Sequence, residues 1–148
     1  MKALSLTEPW ATLVVTGEKQ FETRSWKTSF RGTIAIHAAK GFPRYAQDLA
    51  KMSPFRESLA KHGAQMKNIS VWSFAFGAII GTVDIVEMIP TEQMQFALHG
   101  NEEFFGDYSP NRWAWKLANP QRLSTPIYCR GALSLWTVPE EIEAKIIL

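Results

Sequence analysis

The stretch Gly17-Glu18-Lys19-Gln20-Phe21-Glu22-Thr23-Arg24 sets a lysine, a glutamate and an arginine three and two residues apart, just after a glycine. A carboxylate between an ammonium and a guanidinium can pin one element to the next as an ion-pair chain. It can also present charge to a ligand, or exchange a proton while the lysine stabilises a developing oxyanion. The octet lies in an otherwise apolar stretch, where charges need a partner or a ligand. If Lys19 to Trp26 is a strand, residues two apart share a face, and Glu22, Arg24 and Trp26 line up. On that face Glu22 can accept from an exocyclic amine and Arg24 can meet a phosphate or a carbonyl. Trp26 can stack on a base, worth about 1–3 kcal/mol. Lys19 has the opposite parity, with Phe21 and Thr23. It reaches the same cleft only if the strand entry bulges or its side chain snorkels.

Other residues are candidates for the same site. Trp10, Trp26, Trp72, Trp113, Trp115 and Trp136 are a large tryptophan supply for 148 residues. Most belong in a core, with Trp113 and Trp115 favoured there, while Trp10 and Trp26 are candidates to line a cleft. Arg112 follows Asp107-Tyr108-Ser109-Pro110-Asn111, a segment able to close over a ligand. His37 precedes Lys40 on a strand near the proposed cleft. It reads either as a satisfied sheet-edge histidine or as a ligand contact, and Lys40 as a surface lysine or a phosphate contact. His37, His62 and His99 show no metal-ligand spacing and Cys129 is alone, so neither a zinc site nor a cofactor is expected. Cys129 is expected to be inert, with Arg130 its one charged neighbour. No nucleophile elbow supports a Ser-His-Asp arrangement.

The elements that must hold these residues follow from pattern. Residues 2–6 read as a strand, with Thr7 capping the helix that carries Trp10, Leu13 and Val14, and Gly17 ending it in a left-handed cap. Strands are expected at 19–26, from Arg31-Gly32 through Ala38, at 74–89 with bends at Gly77 and Gly81, at 112–117 and at 132–137. Residues 41–63 read as two helices opened by Pro43 and Ser53-Pro54, 91–98 as a short helix capped by Thr91, and 99–111 as a loop. Pro139 with Glu140 and Glu141 opens a last short helix. Strands at irregular intervals with inserted helices predict an α+β mixed barrel of five to six strands in one domain, residues 1–148. The glycine-rich fingerprint and the regular alternation of a doubly wound sheet are missing.

Composition bounds the function. With 46% apolar and 20% charged residues the chain can build a real core, which excludes disorder. A net charge of +2 permits nucleic-acid contact but argues against long nonspecific tracking, so a short or single-nucleotide ligand fits better. The start Met1-Lys2-Ala3-Leu4-Ser5-Leu6 lacks the apolar core of a signal peptide. The longest uncharged run, Asn68 to Val83, falls short of the roughly 20 residues of a spanning helix and reads as a buried strand or strand pair. A cytoplasmic monomer without membrane association is the expectation.

The motif Gly17-x-Lys19-x-x-Glu22-x-Arg24 resembles the signature of ASCH domains, which are similar to PUA-like RNA-binding barrels. The flanks Ala3-Leu4-Ser5-Leu6, Glu8-Pro9-Trp10-Ala11, Glu22-Thr23-Arg24-Ser25-Trp26, Arg31-Gly32 and Ile36-His37-Ala38-Ala39-Lys40 resemble the family in order and spacing. So does the closing strand Gly131-Ala132-Leu133-Ser134-Leu135-Trp136. The resemblance implies a small barrel with helices around it and a motif-lined cleft for RNA, a base or a nucleoside. Some relatives are ribonucleases, and one branch hydrolyses N4-acetylcytidine with a threonine nucleophile activated by the motif lysine. Here Glu22 stands at the threonine position and Thr23 comes one residue later, on the other strand face.

Three functions are therefore weighed. A binding module would use Lys19, Arg24, Lys40 and Arg112 for charge, Glu22 as a base-edge acceptor, and Trp10 and Trp26 for stacking. A hydrolase on a modified cytidine would use Glu22 as general base and Lys19 as oxyanion stabiliser, with Asp84 or Glu87 as a second carboxylate. A metal-assisted ribonuclease would hold a hard cation between Glu22 and Asp84. Binding is the favoured reading.

Overall fold

The computed structural model describes residues 1–63 and 73–146. Trp72 and the start of the uncharged run at Asn68 lie outside the described residues. In chain order the elements are β1 (Lys2–Leu6), α1 (Trp10–Val15), β2 (Phe21–Arg24), β3 (Gly32–Ala38), α2 (Arg44–Ala50) and α3 (Phe55–Ala60). There follow β4 (Ala78–Pro90), a single 3-10 turn (Thr91–Gln93), α4 (Glu102–Phe105), β5 (Trp113–Tyr128), β6 (Leu135–Thr137) and α5 (Glu140–Glu143).

The six strands form one curled sheet in the order β2-β5-β4-β3-β1-β6, a half-barrel. All pairings are antiparallel except β1 with β3, which are joined through α1 and β2. The main core fills the curl: Leu4 and Leu6 of β1, Ile34 and Ile36 of β3, Val83 and Ile85 of β4, and Trp115 of β5 meet Ala11, Val14 and Val15 of α1. A second cluster joins Leu13 of α1 to Phe55, Leu59 and Phe105. A third, around Ala35, Ile79, Trp136 and Val138, covers the opposite side of the sheet. β3 is therefore buried on both faces from Ile34 onward instead of alternating with solvent.

Gly81 makes the curl possible. The β4–β5 register shifts between Ile79 and Gly81, as a bulge does. A Cβ placed on Gly81 would sit 2.3 Å from the Gln121 carbonyl oxygen and 2.7 Å from Val15 Cγ1. Backbone on one side and α1 on the other leave no room for relief. Gly81→Ala is expected to lose about 2–3 kcal/mol, read as a lower urea midpoint at unchanged slope. A midpoint equal to that of the parent would refute the close approach.

Several local expectations change. Thr7 does not cap α1; the N-cap is Pro9, without a side-chain bond. The buried Glu8 carboxylate serves that turn instead, accepting from Thr12 N at 2.7 Å and Thr12 Oγ1 at 2.6 Å. Gly17 does end the helix, at φ +83°. β2 stops at Arg24, short of Trp26. Thr91 caps no helix to Leu98; its Oγ1 lies 2.8 Å from the Ser109 carbonyl and ties down the 109–112 segment. β5 runs eleven residues past Leu117 to Tyr128. Its partner β2 covers it only over Trp113–Lys116, so beyond that stretch β5 is an edge where Pro120 and Pro126 forfeit no ladder bond to β2. Among the described residues no helix is long and apolar enough to cross a membrane.

Candidate functional site

Lys19 precedes β2 and is only 2% exposed. The turn after Gly17 sets it there: its own N–H bonds back to the Leu13 carbonyl at 2.9 Å, which folds the chain under α1 before the strand begins. Because Lys19 stands outside the strand, the parity rule does not separate it from Glu22. Its Nζ lies 3.1 Å from Glu22 Oε1 and also donates to the Phe21 carbonyl. Glu22 Oε2 accepts from Arg24 Nε at 2.9 Å, and Arg24 Nη2 reaches the Ser5 carbonyl at 3.3 Å. The three motif charges thus form one chain, ammonium to carboxylate to guanidinium, graded from interior to surface. Burial works to raise the Glu22 pKa. The two cations and the hydrogen bonds they donate outweigh it and hold the carboxyl below its ordinary range.

The chain surfaces in a cleft of about 490 Å³. Glu22, Thr23 and Arg24 line one wall, and Leu6, Thr7 and Trp10 the end of β1 and start of α1. Tyr45 of α2 and Phe104, Phe105, Gly106, Asp107 and Arg112 complete the lining. The segment read as a loop carries α4, and it is anchored to β2 at several points. Glu102 Oε1 accepts from Gln20 N at 2.5 Å, Asp107 N donates to Thr23 Oγ1 at 3.0 Å, and Arg112 Nη2 donates to the Thr23 carbonyl at 3.2 Å. Burial raises the Glu102 pKa against the opposing pull of the Gln20 and Phe21 backbone and of Lys19. Glu102 Oε2 and the Tyr108 hydroxyl are buried without a hydrogen-bond partner. Burial, with Glu102 and Glu22 nearby, pushes the Tyr108 hydroxyl pKa upward.

The cleft brings together Trp10, Glu22, Arg24 and Arg112, with Lys19 behind Glu22. Trp26 is not among the lining residues. It packs edge-on against Trp115, ring centroids 4.9 Å apart, and its carbonyl accepts from Trp115 Nε1. Trp115 is fully buried, and Trp113 is half-buried with Lys27 Nζ 4.6 Å from its ring centroid. His37 and Lys40 line a different cleft. His37 is buried with both ring nitrogens engaged, Nδ1 3.1 Å from Ser5 Oγ and Nε2 2.9 Å from the Cys129 carbonyl. Burial raises the Cys129 thiol pKa, which disfavours the thiolate.

Asp84 bonds Thr33 and Asn119 and lines no part of the first cleft, and Glu87 is exposed. Among the described residues no group of three or more His, Cys, Asp and Glu is placed to hold a metal ion. Tyr45, Phe104 and Glu102 were not singled out from sequence. The spacing of Tyr45 with Leu49 and Met52 marks a helix face but not a cleft, and only the folded chain brings Tyr45 and Phe104 to one cavity.

The ASCH domain family model matches residues 4–127. The chain belongs to the ASCH domain family. The ASCH chain is 27% identical over 141 residues to activating signal cointegrator 1 from Mus musculus and 26% identical to that from Homo sapiens. It spans 94% of its own length in those matches but only 22% of theirs. The crystal structure of ASCH from Zymomonas mobilis superposes with a TM-score of 0.56 at 16% identity, covering 97% of this chain and 91% of that one. The half-barrel is thus the α+β, PUA-like ASCH fold.

Proposed function

We propose that this ASCH domain binds RNA or a nucleoside in the cleft of Trp10, Tyr45, Phe104, Arg24 and Arg112. One observation carries the reading: exposed aromatic rings line the same cleft as a motif-held guanidinium. Tyr45 and Phe104 are 61% and 58% exposed, rings left in water at a cleft mouth. Trp10 tilts against Tyr45 with centroids 6.3 Å apart. A flat base can stack on an exposed ring of this kind, Arg24 and Arg112 suit phosphate or carbonyl oxygens, and Glu22 suits an amine.

Hydrolysis of a modified nucleoside draws less support. A general base needs a carboxylate free to take a proton near neutral pH. Glu22 has both oxygens committed to cations and its pKa held low. Lys19 is buried and already bonded to Glu22 and a carbonyl.

Tyr45→Ala and Phe104→Ala are each expected to weaken binding of mononucleosides or short RNA by about 1–3 kcal/mol while leaving the melting temperature unchanged, because both side chains are exposed. Arg24→Ala should weaken phosphate-bearing ligands more than nucleosides. Titration by tryptophan fluorescence, with Trp10 as reporter, checks all three. Unchanged binding in both aromatic variants would sink the proposal.

A further inference from the structure

The second cleft, of about 760 Å³, lies at the C-terminal ends of β1, β3 and β5 and shares no lining residue with the first. Its floor is closed and satisfied. Trp136 Nε1 donates to Ser5 Oγ at 3.1 Å, Ser5 Oγ pairs with His37 Nδ1 at 3.1 Å, and His37 Nε2 donates to the Cys129 carbonyl at 2.9 Å. A Cβ on Gly131 would lie 2.6 Å from His37 Cε1, so the chain after β5 rests directly on this floor. Ser5 and His37 therefore hold that segment in place and are not a nucleophile and its activator. The segment is tied at both ends. Cys129 N donates to the Gly77 carbonyl at 3.1 Å, and Leu135 enters β6 opposite Leu4. Between these ties Leu133 is 92% exposed. The exposed Tyr128 and the half-buried Phe76, whose ring lies 5.1 Å from that of Phe42, extend the apolar lining. This is apolar surface that a partner can cover without first ordering the backbone beneath it. Lys40 and Arg130, both exposed, supply the charge of the lining. Among the described residues neither enters an ion pair, and no aspartate or glutamate lines the cleft.

We infer that this cleft docks an acidic, apolar segment of a partner protein, its carboxylates on Lys40 and Arg130 and its apolar side chains on Leu133, Tyr128 and Phe76. The two unopposed cations select negative charge. Leu133 decides which kind of anion. A phosphate chain gains little from an aliphatic side chain, and single-strand binders present successive rings in a strongly basic groove, where this cleft has two cations. A small carboxylic acid would be enclosed below the rim, as small-molecule sites enclose their ligands, and would leave Leu133 in water. A protein segment covers the cations and the leucine together, and tyrosine and arginine are residue types that anchor such contacts. The docking cleft and the base cleft share no lining side chain, so either can be lost without the other.

The test selects a random-sequence peptide library, displayed on phage, on the intact protein and titrates the enriched peptides against variants. Enriched sequences should combine Asp or Glu with large apolar residues. Lys40→Ala/Arg130→Ala and Leu133→Ala should each weaken them at least about tenfold. Added salt should weaken binding to the parent more than to the charge variant. All three residues are exposed, so both variants should melt with the parent. Phe104→Ala, in the base cleft, should leave peptide affinity unchanged. Enrichment of neutral or basic peptides, of peptides indifferent to both cleft variants, of peptides weakened by Phe104→Ala, or of none would overturn the docking site. A labelled single-stranded RNA that displaces the enriched peptides and loses affinity in Lys40→Ala/Arg130→Ala would overturn it too, and would assign the cleft to nucleic acid.

Discussion

Lys19→Ala is expected to cost about 3–5 kcal/mol of folding stability, because it strands a buried carboxylate whose inner partner is gone. The Lys19 side chain is 1% exposed and that of Glu22 11%. Removing the ammonium leaves Glu22 Oε1 and the Phe21 carbonyl without the donor they share. Arg24 remains on Oε2, but it holds the surface end of the chain. The pH dependence gives the loss a signature. In the folded protein the Glu22 pKa is lowered, so its contribution is present above the unfolded carboxylate pKa of 4.5 and is lost as pH falls through the folded value. In the variant, burial with one cation fewer moves that pKa upward, so the gap between parent and variant should narrow in acid.

A double substitution isolates the pair. Lys19→Met with Glu22→Gln removes both charges at similar volume and should lose less than Lys19→Ala alone, since no buried charge is left without a partner. Urea unfolding at neutral and acid pH measures all of this. A loss below about 1 kcal/mol for Lys19→Ala, the scale of an exposed pair, would show that the ion pair is not held in the interior. The result bears on function directly: a Lys19 variant inactive in any assay must first be shown to be folded.

The Lys19 geometry also marks how far the sequence could be read. The glycine, the helix before it and the period-two pattern of Glu22 and Arg24 are local, and local patterns survive folding. Gly17 ends α1 and the two residues share a face of β2, as their spacing requires. Gly81 was legible as a bend for the same reason. What brings Lys19 beside Glu22 is the backbone bond from Lys19 N to Leu13 O, a turn that no side-chain periodicity records. Trp26 falls beyond the strand end, so the alternation that aligned it with Arg24 no longer applies, and its large apolar area finds Trp115 instead. His37 and Lys40 were read into the first cleft because their strand neighbours it. Yet β1 lies between β3 and β6, and Ser5 and His37, partners in the β1–β3 register, turn toward the second cleft. Tyr45 and Phe104 lie 59 residues apart in sequence and line one cavity, a long-range juxtaposition that one sequence does not encode in any spacing.

Glu8→Gln is expected to stabilise the protein near pH 8 by about 3 kcal/mol and to remove a pH dependence that the parent carries. Glu8 is fully buried beneath the first turn of α1, and burial pushes its pKa up to about 7 against the lowering effect of the Thr12 bonds and Arg122. The unfolded value is 4.5, so between 4.5 and about 7 the folded state holds a proton that the unfolded state has released. Stability from this group is therefore complete below 4.5 and declines as pH rises through about 7, where the carboxylate must ionise in the interior. Glutamine keeps the shape and both bonds: its Oε1 accepts from Thr12 N, and its Nε2 donates to Thr12 Oγ1 where a carboxylate oxygen now accepts from that hydroxyl. Glu8→Ala is the control, since it forfeits both bonds and should destabilise at every pH. The measurement is the difference in unfolding free energy between parent and Glu8→Gln from pH 4.5 to pH 8, which should grow with pH and level off above about 7. Because Glu8 lies between Thr7 and Trp10, which line the base cleft, ligand affinity of the parent should fall over the same interval if ionisation loosens the first turn of α1. A stability difference that stays flat with pH would mean that Glu8 keeps an ordinary carboxylate pKa in the folded protein, and that its burial is relieved by a partner other than Thr12.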